Sequence, residues 1–278
     1  MNNPTLKRGS SLHDDNERLQ LAMAELGHPV DIDGHFGPGL EREVRAFQAS
    51  SGLPSDGVVD AATWRALAAR SHYGRPLEVD VSPLTGFRGD IGWIHRWEGH
   101  AGRPYWPGGA SGVTLDPGLD LGHAPLALVE EAFGSRLSAI EMGAIRRVSA
   151  NGDQPGKRGD AAKAALDADP ILQTIRVLRT TATEVLPMIA KPYWATLCRR
   201  FETLGGPSTP GAVQTAMLSL GYNRGAGNRA LGELTEPLAR GDWLAAADSI
   251  GAMQQEHQLP GIRKRRRAEA ELIRSSLR

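Results

Sequence analysis

Apolar residues in the first 70 positions fall into three short helical stripes separated by glycine-bearing turns. Leu19, Leu21, Ala22 and Leu26 follow the cap candidates Asp14 and Asp15 at helical spacing, and the pattern stops at Gly27. Leu40 to Gln48 is helical again, with Val44 and Phe47 on one face, and a third unit runs from Leu53 through Trp64 to Leu67. Asp33-Gly34 and Asp56-Gly57 each precede an apolar residue, a cap and a helix, which makes a weak internal repeat. The spacing predicts tight turns with both glycines at positive φ.

The stretch 73–87 holds two prolines and two glycines without a sustained apolar period and reads as a linker between a domain over 1–72 and a second over 88–278. The second domain is predicted mostly helical. Helices are expected at 124–133, 137–150, 159–168, from 170 to about 180, at 183–201, 209–222, 230–238, 243–255 and from 261 onward. Tyr105 to Leu121 breaks this pattern as a glycine-rich hairpin. The fold class is therefore mainly α (α+β): three helices, then a domain whose small antiparallel hairpin lobe faces a helical lobe.

Composition narrows the function classes. The 278 residues are 40% hydrophobic and 23% charged, enough for one sizeable core and a smaller second domain. Lys+Arg and Asp+Glu balance at 32 each, so no global field recruits nucleic acid or an anionic membrane. No run of about 18 apolar residues is present to insert into a membrane. The single cysteine, Cys198, sits at helical spacing and is expected to be a buried structural thiol. Scattered histidines and the lack of a phosphate-binding loop imply no metal or organic cofactor, and a monomer is expected. Met1 to Ser10 lacks the apolar core of a signal peptide, so a substrate outside the cytoplasm would require a separate delivery route.

Candidate chemistry centres on Glu98, which closes the run Ile91-Gly92-Trp93-Ile94-His95-Arg96-Trp97-Glu98, placed by its spacing on a short helix. Sixteen residues later the hairpin brings Thr114, Asp116 and Asp120. Glycoside hydrolysis needs one carboxyl to protonate the leaving oxygen and a second group on the opposite face to steer a water or attack the sugar. Glu98 in a partly apolar setting suits the general acid. The Thr114 hydroxyl can donate and accept, as holding a water requires. Trp97, Tyr105 and Trp106 offer flat faces to sugar rings or to packing.

The pattern Leu19-Gln20, Asp33-Gly34-x-Phe36-Gly37-Pro38, Val44-x-x-Phe47-Gln48, Gly52-Leu53-Pro54 and Asp56-Gly57-Val58 resembles the peptidoglycan-binding domain of wall hydrolases. The resemblance implies peptidoglycan, as stem peptide or glycan, for a ligand. Phe36, Val44, Phe47, Leu53 and Trp64 are expected in the core, and Asp33, His35 and Asp56 on the turns are either the recognition groups or plain turn-formers.

The second domain resembles the phage lysozyme superfamily, and more closely its pesticin-like branch. Glu98-Gly99, Tyr105 seven residues on, Thr114 and Gly122-His123 follow that family's order. Pro107 stands where phage lysozymes place an aspartate, whereas Thr114 to Asp120-Leu121-Gly122 fits the Thr-x5-Asp-Leu-Gly of the pesticin-like branch. Asp116-Pro117 departs from both patterns and makes Asp116 a turn-former or a rival to Asp120. Tyr222-Asn223-Arg224-Gly225 resembles the family's Phe-Asn-x-Gly helix end, which implies a substrate contact for Asn223. Gly261-Ile262-x-x-Arg265-Arg266-x-x-Glu269 resembles its closing helix, whose basic run is a solvated face, a source of an arginine reaching back to Glu98, or a patch that meets anionic wall polymer. Together these imply a modular endolysin-like muramidase with Glu98, Thr114 and Asp120 catalytic, delivered through a holin or an export system. A non-catalytic wall-binding protein and a lytic transglycosylase are the alternatives.

Overall fold

The computed structural model describes residues 3–152 and 154–278, which divide into two compact units with the boundary between Glu78 and Val79. No helix among the described residues is long and apolar enough to cross a membrane.

The first unit packs α1 (His13–Glu25), α2 (Pro38–Ser50) and α3 (Ala61–Ala68). Pro38 opens α2 with its φ already set for a helix, and the Asp60 carboxylate caps α3 by accepting from Thr63 N at 2.8 Å. Leu19, Phe36, Val44, Phe47 and Trp64 meet in the core, while the expected core residue Leu53 is only half-buried. Gly34 and Gly57 have φ of 72° and 73°, as the turns demand.

The weak repeat has a physical cause. Gln20 Nε2 donates to Asp33 Oδ1 (2.7 Å) and His35 O (3.0 Å) while its Oε1 accepts from Gly34 N (2.8 Å). Gln48 does the same for the second turn, donating to Asp56 Oδ1 (3.0 Å) and Val58 O (2.9 Å) and accepting from Gly57 N (2.9 Å). Each buried glutamine amide thus satisfies the backbone of one Asp-Gly turn, the role a sheet or helix ladder would otherwise fill.

The boundary between the two units falls inside the stretch 73–87, and each of its ends packs with a different unit. Arg18, stacked 4.2 Å over the Trp64 ring, donates to Tyr73 O (3.3 Å) and Arg75 O (2.7 Å). At the other end Leu84 and Phe87 are buried in the second unit's core, Trp194 Nε1 donates to Thr85 O (2.9 Å) and Gln214 Nε2 to Gly86 O (3.0 Å). The second unit therefore starts earlier than residue 88, and the first ends later than 72.

In the second unit α4 (Ile91–His95) precedes a two-stranded antiparallel hairpin, β1 (Thr114–Leu115) and β2 (Leu119–Asp120), paired Thr114 to Asp120 and Leu115 to Leu119. The remaining helices are α5 (Leu126–Phe133), α6 (Ala139–Arg146), α7 (Asp160–Ala168), α8 (Pro170–Thr174), α9 (Arg179–Arg200), α10 (Gly211–Arg224), a 3-10 turn (Arg229–Leu234), α11 (Thr235–Arg240), α12 (Trp243–Ala252) and α13 (Pro260–Ser276). The helix expected from 170 to 180 breaks into α8 and the start of α9. Ile175 and Val177 between them are buried, and Val177 N donates to Gly102 O at 3.0 Å. Tertiary burial overrides local helical preference there.

Two cores flank α9. Ala182, Val185 and Ile189 join the hairpin with α5 to α8, whereas Leu186, Ala190, Trp194 and Leu197 join α4 and α10 to α13. Serving two cores requires apolar residues on opposite faces of one helix. Cys198, on the same helix, is half-buried, and partial desolvation raises its thiol pKa. Tyr222 at the end of α10 packs against both cores and donates from Oη to Pro117 O at 2.8 Å, which ties the helical lobe to the hairpin tip.

Candidate functional site

Glu98 lies just beyond α4 rather than on it. Trp97 N donates to Ile94 O (3.0 Å) and Glu98 N to His95 O (2.9 Å), tightening the chain into i to i−3 bonds before Gly99. The carboxylate is held from the far end of the sequence: Arg265 on α13 donates from Nη2 to Glu98 Oε1 at 2.6 Å. Glu98 Oε2 makes no hydrogen bond among the described residues, so it is the oxygen left to meet a ligand. An arginine of the basic run thus does reach Glu98.

Arg265 is itself fixed. Its Nε and Nη2 donate to Ser219 Oγ (3.1 and 3.0 Å), Ser219 Oγ donates to Glu269 Oε1 (2.6 Å), and Arg266 Nη2 approaches the same oxygen at 3.1 Å. This network is buried, which raises the Glu269 carboxyl pKa and lowers Arg266 to about 10. Breaking a buried ionic network by removing one member leaves a charge without compensation, so the arrangement fixes Arg265 in one place.

The hairpin carries the remaining acidic candidates and Thr114. Asp120 Oδ1 accepts from Gly112 N (3.0 Å) and Gly122 N (2.9 Å), while Oδ2 accepts from Gly112 N (3.0 Å) and faces His123 Nδ1 at 3.0 Å. A Cβ on Gly112 would lie 2.4 Å from Asp120 Oδ1, so only glycine permits this close approach. Thr114 is buried, exchanges backbone bonds with Tyr105 (3.1 and 2.8 Å), and its hydroxyl reaches Gly112 O at 3.4 Å. Asp120 and Glu98 keep part of their side chains in solvent, at 27% and 17% exposure.

The Tyr105 phenol pKa is raised first by desolvation and then by the charges of Asp116, Glu98 and Asp120, so one ring lies within the field of all three carboxylates. Tyr222 is raised well above its ordinary value by desolvation, with Glu98 the next contributor.

Other candidates divide. Trp97 is half-buried with its ring 5.9 Å from Trp93, and Trp106 donates from Nε1 to Ser111 O (3.1 Å) while packing against the hairpin core. Asn223 is exposed and accepts from Arg266 Nη2 at 3.1 Å, which links it to the network behind Glu98. Asp33 and Asp56 are exposed but spend Oδ1 on their own turns, accepting from His35 N (2.8 Å) and Val58 N (2.9 Å). Sequence reasoning missed Ser219 and the pairing of His100 with Asp116. Ser219 carries no local signal, and His100 is marked only by lying two residues beyond Glu98.

Residues 13–67 match the family described as "Putative peptidoglycan binding domain". The chain carries a peptidoglycan-binding domain at its N-terminus. The protein described as "Uncharacterized protein in bpoA1 3'region" from Kitasatospora aureofaciens is 43% identical over 56 residues, 20% of this chain and 46% of that protein. The chain thus spans less than half the length of that relative. Peptidoglycan is accordingly the partner this domain points to, and the family match lies wholly within the first unit.

Proposed function

We propose that the second unit is a glycoside hydrolase acting on the peptidoglycan that the first unit binds, a muramidase cutting the β-1,4 bond between N-acetylmuramic acid and N-acetylglucosamine. The observation that carries this is Glu98, partly exposed and pinned through one oxygen by Arg265. Glu98 Oε2 protonates the leaving glycosidic oxygen, and a water supported by Asp120 attacks the anomeric carbon from the other side. Thr114, paired with Asp120 across the hairpin, is the further group assigned to holding that water. Binding by the first unit raises the effective concentration of the second at the wall without new catalytic contacts. Release into the wall through a holin, as for an endolysin, or by an export system is part of the same proposal.

The test is mass analysis of purified peptidoglycan digested by the full chain. Reducing muramic ends are expected. Anhydro ends would make the protein a lytic transglycosylase, and an absence of products would make it a wall-binding protein without hydrolase activity.

A further inference from the structure

Asp116 differs from the turn aspartates of the first unit. Asp33 and Asp56 are exposed and bond two residues ahead, whereas Asp116 is 1% exposed and reaches back fourteen residues to accept from Gly102 N at 2.6 Å. The same Oδ2 faces His100 Nδ1 at 3.2 Å, and Oδ1 is buried without a hydrogen-bond partner among the described residues. A buried acceptor left unmatched carries a desolvation penalty that a surface turn-former would not.

His100 and Gly102 are anchored in turn. The His100 ring lies edge-on to His95 at 6.4 Å, His95 Nδ1 meets Thr183 Oγ1 on α9 at 2.7 Å, and Gly102 O accepts from Val177 N. Gly102 is therefore fastened on one side to the hairpin tip and on the other to the segment between α8 and α9, while His100 lies between the hairpin tip and a histidine tied to α9. Glu98 stands two residues before His100, so a shift of the loop that follows it moves the acid.

We propose that His100 and Asp116 are positioning residues, a buried clamp that sets Glu98 against the hairpin bearing Thr114 and Asp120. The clamp deepens the hydrolase reading above and rests on it. A misplacement of about 1 Å at a reacting group can cost on the order of 100-fold, so the clamp acts on turnover and not on substrate affinity.

The experiment is steady-state kinetics of the full chain on soluble, uncross-linked peptidoglycan strands, well below the melting temperature of every variant. Asp116→Ala is expected to lower kcat by about 10- to 100-fold with KM within twofold. Asp116→Asn, whose oxygen can still accept from Gly102 N, loses less, and His100→Gln behaves likewise. The double variant His100→Gln/Asp116→Asn is no worse than its worse single member, because the two act as one unit. In proton NMR the Gly102 amide moves upfield in Asp116→Ala and holds its place in Asp116→Asn. Should Asp116→Ala fail to fold, the two milder variants and their double carry the same test. A KM that rises with kcat unchanged, turnover within twofold of wild type in all variants, additive losses, or an unmoved Gly102 amide overturns the clamp. Wild type that releases no product overturns the hydrolase reading first, and the clamp's catalytic role with it.

Discussion

Glu98 and Arg265 are 167 residues apart in the chain and 2.6 Å apart in space, so the most consequential side-chain contact of the second unit joins α13 to the loop after α4. Glu98→Gln keeps an oxygen for Arg265 but has no proton to give. Wall lysis is expected to fall by at least about 100-fold with the fold and wall binding retained, as read by turbidity, circular dichroism and sedimentation with insoluble peptidoglycan. Near wild-type clearing by that variant would remove Glu98 from the mechanism. Asp120 is tested by stereochemistry. A water held opposite Glu98 requires the carboxyl groups to stand roughly 6.5–9.5 Å apart and gives inversion, whereas a nucleophile at about 5–5.5 Å gives retention. Inversion is expected, with Asp120→Asn more damaging than Asp116→Asn because Asp120 both supports the water and organises Gly112 and Gly122. Early product anomers by proton NMR decide the first point and the rates of the two variants the second; retained configuration ends the water-positioning role, and a dead Asp116→Asn beside an active Asp120→Asn exchanges the two aspartates.

Elements were legible in the sequence where local chemistry decides them. The three helices of the first unit and both positive-φ glycines follow from caps, stripes and Asp-Gly pairs, because each signal lies within a few residues of its effect. The hairpin was placed, yet its regular strands are only two residues each, since Asp120 and not a long ladder organises Gly112 and Gly122. Burial of Asp116, the Ser219–Glu269 network and the break between α8 and α9 were not legible, because each depends on a partner from elsewhere in the fold. Within the first unit the glutamine staples make a sharp prediction. Gln48 is 1% exposed, and Gln48→Ala strips partners from Gly57 N, Asp56 and Val58 O, so a loss of about 2 kcal/mol is expected. For a unit of this size that is a fall of roughly 8–16 °C in its melting transition. Calorimetry of the full chain reads it, and a shift under 2 °C would mean that the turn holds without the amide.

At the scale of the whole molecule, composition sees the stretch 73–87 as a linker while packing assigns its ends to two different units. Proline and glycine mark irregular backbone, but they do not report whether Leu84 and Phe87 find a core, and here both insert among Trp194, Phe201 and Leu204. Such a segment behaves as a plug: it has no secondary structure of its own and fills space between helices. Removing it takes away two large buried side chains, each contributing about 1.5–3 kcal/mol by burial, together with the partners of Trp194 Nε1 and Gln214 Nε2. Against a total of about 5–15 kcal/mol for an ordinary domain, a loss of roughly 3–6 kcal/mol is large. A fragment starting at residue 79 is therefore expected to unfold in urea at a clearly higher midpoint than one starting at residue 88, with the shorter fragment close to unfolded at 37 °C. Equal midpoints would return 79–87 to the status of a linker. A lower midpoint accompanied by full hydrolytic activity at low temperature would place the plug in stability alone.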